Sequence, residues 1–65
     1  MTKTEAQQLI ELADETACAI LTAKYEFFDI LDRKMGAEYD RITLDIYAEK
    51  VPDMTMAELL VLANS

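Results

Sequence analysis

From Thr2 to Met35 the chain contains neither glycine nor proline, and this uninterrupted stretch constrains the fold more than any other feature. Gly36 and Pro52 are the only residues of their kind, and they divide the sequence into three segments. Thr2 with Glu5, or Thr4 with Gln7, has the spacing of a capping box, which starts a helix by reciprocal hydrogen bonds. Gly36 suits the left-handed position that ends one, and Arg33 and Lys34 just before it would complement a helix C-terminus. The expectation is a helix over about residues 4–35, roughly 45 Å long if unbroken. A break near Thr22–Lys24 remains open.

Helical periodicity sorts the first segment into two sides. Leu9, Ala13, Ile20, Phe27 and Leu31 run down one line, with Ile10, Ala17, Leu21, Phe28 and Met35 beside it. Leu12, Ala19, Ala23 and Ile30 widen the apolar arc to roughly 200°, about twice what a surface helix needs. Such a helix requires neighbours on two sides, so these four residues are candidates for an oligomer interface. Lys24 falls near the centre of the arc, where it would snorkel or pair with a carboxylate. The opposite side carries Glu11, Asp14, Glu15, Glu26, Asp29 and Asp32, with Cys18, Thr22 and Tyr25 between the acidic clusters.

The second segment is ambiguous. Tyr39, Ile42 and Ile46 fit a helix, whereas Ile42, Leu44, Ile46 and Ala48 alternate as in a strand over 41–48. A lone strand would have no hairpin partner within the chain, so a helix over about 38–50 is preferred. The third segment opens with the capping pair Thr55 and Glu58, and Met54 can staple onto Leu59. The run Leu59–Ala63 has no polar side and is expected to be buried in a helix over 55–63. The fold expected is all-α: one small helical domain over 1–65, a helical hairpin or three-helix bundle, with a homodimer possible.

Catalysis is poorly supplied. There is no histidine, the sole serine is Ser65, and the sole cysteine, Cys18, would have its pKa raised by nearby carboxylates. Paired carboxylates alone need a pocket that 65 residues scarcely enclose. A non-enzyme is expected. Asp29, Asp32, Glu38 and Asp40 surround Gly36 as in a calcium loop, but Arg33 and Lys34 occupy the positions where acidic residues are required. No metal or cofactor is expected, and a lone cysteine excludes an internal disulfide.

Thirteen Asp and Glu against six Lys and Arg give a net charge of −7. Direct nucleic-acid binding and anionic membranes are disfavoured, whereas basic surfaces attract such a chain. The N-terminal residues lack the regions of a signal peptide, so a cytoplasmic location is the default expectation. Like charges at Glu11 and Glu15 cost a few tenths of a kcal/mol on an isolated helix. An acidic helix face that tolerates this could imitate spaced phosphates and occupy a basic groove.

Two short patches, Thr2-Lys3-Thr4-Glu5 and Tyr47-Ala48-Glu49-Lys50-Val51-Pro52, resemble the small helical haemolysin-modulating regulators. The tryptophan-bearing C-terminal element of that family is absent, and no functional residue carries over. In size, charge and missing catalytic groups the chain is similar to small phage and mobile-element inhibitors, including anti-CRISPR and anti-restriction proteins. The expectation is an inhibitor or modulator whose partner is a basic, nucleic-acid-handling protein, contacted through Glu11, Asp14, Glu15, Glu26, Asp29, Asp32 and Tyr25. The alternative is a homo-oligomeric helical module using Leu12, Ala19, Ala23 and Ile30.

Overall fold

Thr2 starts the first helix by the mechanism its spacing implies. In the computed structural model, which describes residues 1–65, the Glu5 amide donates to Thr2 Oγ1 at 3.1 Å. The Thr2 amide donates back to Glu5 Oε1 at 2.9 Å. Helix α1 runs Lys3–Tyr25, α2 Arg33–Lys50 and α3 Met56–Ala63, and no strand forms. The chain is therefore all-helical, and the helical alternative holds for residues 41–48.

The long first helix does not reach Met35. It ends at Tyr25, with Glu26 in the left-handed region at φ 71° and ψ −14°. Two aspartates explain why the chain leaves the helix without glycine or proline. Asp29 Oδ1 accepts from the Leu31 amide at 2.9 Å, and Asp32 Oδ1 accepts from the Met35 amide at 3.0 Å. Short acidic side chains offer the backbone local partners that compete with helical ones. Asp32 is thus the N-cap of α2, which begins at Arg33 rather than near residue 38.

Gly36 consequently does not end a helix. It lies inside α2 with no positive φ, and its value is close approach: a Cβ there would stand 3.1 Å from the Ile30 carbonyl oxygen. Arg33 and Lys34 enter the first turn of α2, where cations oppose the helix dipole and no acidic side chain accompanies them. Lys34 instead sets its ammonium 5.7 Å from the centroid of the Tyr25 ring.

The core lies along one line of α1. Ala6, Leu9, Ala13, Ala17 and Leu21 are buried, at the three- and four-residue spacing of a single helical face. Both other helices pack against this line, α2 through Met35, Thr43 and Tyr47, and α3 through Leu59 and Ala63. The buried Thr43 hydroxyl donates to the Tyr39 carbonyl at 3.0 Å, so it leaves no unpaired polar group. Thr55 and Glu58 form the expected capping box, and Met54 packs on the cluster containing Leu59.

Burial is nevertheless sparse, with ten of 65 residues inside. Leu21 and Leu59 are the largest fully buried side chains, while four of the nine buried apolar residues are alanines. The run Leu59–Ala63 is only half covered: Leu59 and Ala63 are buried, but Leu60 and Val61 are exposed. Phe27 and Leu31, expected on the core line, are also exposed. They fall in the loop after Tyr25, off the helical face that would have carried them inward.

Candidate protein-binding surface

The break at Glu26 redistributes the acidic side of the first segment. Glu11, Asp14 and Glu15 stay on one exposed flank of α1, with half-buried Cys18 between them and Thr22. The other three carboxylates do not extend this line. Glu26 caps the C-terminus of α1, Asp29 braces the loop, and Asp32 caps α2. A single straight row of six carboxylates on one helix, the geometry behind phosphate imitation, is absent from this fold.

Tyr25, named among the contact residues on that side, is half-buried at the last position of α1. Two ammonium groups approach its ring, Lys24 at 5.2 Å and Lys34 at 5.7 Å from the centroid. Lys24 pairs with Glu38 across the hairpin at 2.9 Å, which fulfils the expectation that it would find a carboxylate. This pairing holds the Glu38 carboxyl below its ordinary range and raises the Lys24 ammonium. It is the one ion pair in the protein, so the other twelve of thirteen carboxylates have no cationic side chain within reach.

Asp14 has a structural partner that helical periodicity does not reveal. Its Oδ1 accepts the hydroxyl of Tyr39 on α2 and, at 3.8 Å, the Cys18 thiol. The bond to Asp14, then burial, pushes the Tyr39 pKa well above the usual tyrosine value. Burial first, then Asp14, raises the Cys18 thiol, so it is not an activated nucleophile. Beside this contact lies an open groove of about 400 Å³. Gln7, Ile10, Glu11 and Asp14 line it from α1, Tyr39 from α2, and Leu60, Ala63 and the following Asn64 from the α3 end. Its amides are already engaged: Gln7 Nε2 donates to the Ala63 carbonyl at 2.9 Å, and Asn64 Nδ2 to the Leu60 carbonyl at 2.8 Å. What the groove still offers is carboxylate oxygen above an apolar floor. That combination accepts a cationic side chain with an aliphatic stem.

The four residues at the edge of the apolar arc are left uncovered. Leu12 is 49 % exposed and Ile30, in the loop, 52 %, with Ala19 and Ala23 also at the surface of α1. Ile20, assigned to the core line, joins them at 47 % exposure. Neither α2 nor α3 reaches this band, because both pack on the Ala6–Leu21 line.

Sequence reasoning missed Tyr39, Glu38 and the groove. Each depends on a partner on another helix, Asp14 for Tyr39 and Lys24 for Glu38, which periodicity along one segment does not reveal. No group of three or more acidic, cysteine or histidine side chains is placed to hold a metal ion, and no helix is long and apolar enough to cross a membrane. Comparison with protein-family models, with curated proteins and with solved structures finds no match.

Proposed function

We propose that this protein is a non-enzymatic binding module that inhibits or modulates a basic, nucleic-acid-handling protein. The supporting observation is the flank of α1: Glu11, Asp14 and Glu15 are exposed on one side of the helix, and none has a basic partner. Unneutralised charge of this kind steers association with basic surfaces and falls with added salt. Asp29 and Asp32 contribute to net charge but are occupied in holding the loop, so they are not contact residues in this reading.

The test is charge reversal at positions the fold does not use. Glu11→Lys with Glu15→Lys should remove binding to the basic partner recovered from the host, while helicity and melting temperature stay the same. Binding that survives the double reversal, or that ignores ionic strength, overturns the proposal.

A second reading, a small homo-oligomeric assembly module, draws on the uncovered Leu12, Ala19, Ala23 and Ile30. Concentration-dependent melting and a solution mass of two chains would support it. A monomer at all concentrations removes it.

A further inference from the structure

The uncovered band on α1 has a definite composition and a definite border. At about 100° per residue, Leu12, Thr16, Ala19, Ile20 and Ala23 form one continuous strip along the helix. Leu12 and Ile20 are each about half exposed, and Ala19 and Ala23 leave shallow places between them. Bulky side chains alternating with alanines form the surface into which the ridge of another helix fits. Glu15 borders the strip directly, three residues after Leu12 and four before Ala19, and Glu11 stands one turn earlier. No cation offsets this border. Between Lys3 and Lys24 helix α1 carries no basic residue, and Lys24 is engaged by Glu38.

A second copy is a poor occupant, because it would bring a second charge of −7 to a border that is already acidic. The complement is a helix with an apolar stripe and flanking lysines or arginines. Resting on the reading above, we propose that the docking element of the partner is a basic amphipathic helix lying along α1. Its apolar stripe covers Leu12, Ala19, Ile20 and Ala23, and its cations face Glu11 and Glu15. Apolar contact then supplies affinity, and the acidic border supplies orientation and rate.

The probe is a synthetic peptide of roughly five helical turns, with leucines at three- and four-residue spacing and lysines on either side. A peptide of identical composition, scrambled to destroy the periodicity, serves as its control. On the 65-residue protein the periodic peptide should bind at least roughly tenfold more tightly than the control. Leu12→Gln with Ala19→Gln, and separately Glu11→Gln with Glu15→Gln, should each weaken it by about the same factor. All four positions are exposed, so circular dichroism should show unchanged folding. Should a variant unfold, amide shifts of the wild-type protein on titration provide the same map, centred on Leu12, Thr16, Ala19 and Ala23.

Equal binding of both peptides, or loss with the acidic variant alone, overturns the docked helix while leaving charge-driven binding of a basic partner in place. Shifts centred on the groove between Gln7 and Leu60 do the same. A solution mass of two chains that the peptide does not alter assigns the strip to a second copy and overturns the inference. Absence of any peptide binding at low salt, together with a basic partner indifferent to the reversal of Glu11 and Glu15, removes the underlying reading as well.

Discussion

The Tyr39 hydroxyl donates to the Asp14 carboxylate across the α1–α2 hairpin, joining residues 25 positions apart in sequence. This bond lies at the edge of the core, where Thr43 and Tyr47 of the same helix are buried against α1. A residue that helical periodicity assigns to a free acidic flank is therefore also a tie between two helices.

Removing that tie should cost stability and change its pH dependence. Tyr39→Phe is expected to destabilise the fold by about 1 kcal/mol, the usual net value of such a bond. The Tyr39 pKa is raised in the folded state, by Asp14 and then by burial, and burial also raises Tyr47. For a raised group, the stabilisation is fully present below its unfolded value, near 10 for tyrosine, and is lost as pH rises through the folded value. Urea midpoints should fall above about pH 10, and Tyr39→Phe should flatten that decline.

Glu26 stores strain that a single change releases. A non-glycine residue at φ 71° costs roughly 1 kcal/mol, and a carboxylate at a helix C-terminus opposes the dipole. Glu26→Gly should therefore raise stability by about 0.5–1 kcal/mol, visible as a higher melting temperature. It should leave partner binding unchanged, since Glu26 lies beyond the acidic flank.

Asp32 and Glu15 separate fold from surface within the same charge class. Asp32 is the sole acidic group helping the α2 N-terminus, against Arg33 and Lys34 in its first turn. Asp32→Ala should cost about 1 kcal/mol, measured by chemical denaturation. Glu15→Ala removes a like-charge neighbour from Glu11 and should be neutral or stabilising by a few tenths of a kcal/mol.

Leu59 and Leu12 make the corresponding apolar contrast. Leu59 is fully buried between α1 and α3, so Leu59→Ala should cost about 2–5 kcal/mol, comparable to the whole stability of a domain this small. The variant should be largely unfolded at room temperature by circular dichroism. Leu12→Ala, at a half-exposed site, should shift the melting temperature little.

What could be read in advance followed the range of each interaction. The capping box of Thr55 with Glu58 was legible, and that of Thr2 with Glu5 was one of two N-terminal candidates, because every atom involved lies within four residues. The break at Glu26 was legible only as an open alternative placed slightly earlier, near Thr22–Lys24, because no punctuating residue marks it. Its cause is Asp29 and Asp32, which on a helical wheel look like two more members of an acidic side. Gly36 was misplaced for a related reason: its close neighbour is the Ile30 carbonyl, a contact that exists only after the chain has turned. Arg33 and Lys34 satisfied a rule for helix ends and lie at a helix start. The edge residues Leu12, Ala19 and Ala23 stood out by periodicity, but whether anything covers them depends on where α2 and α3 settle.

The alanine seam has a consequence for how occupancy can be detected. Ala6, Ala13 and Ala17 let the neighbouring helices come close with little side-chain volume between them. An interior that thin cannot be improved by larger residues without prising the helices apart. Covering α1 from outside therefore adds stability that repacking the interior cannot. Each gain in occupancy should register as a warmer unfolding transition that climbs with the logarithm of ligand concentration. For a chain with so shallow an interior, heat resistance becomes a direct readout of company.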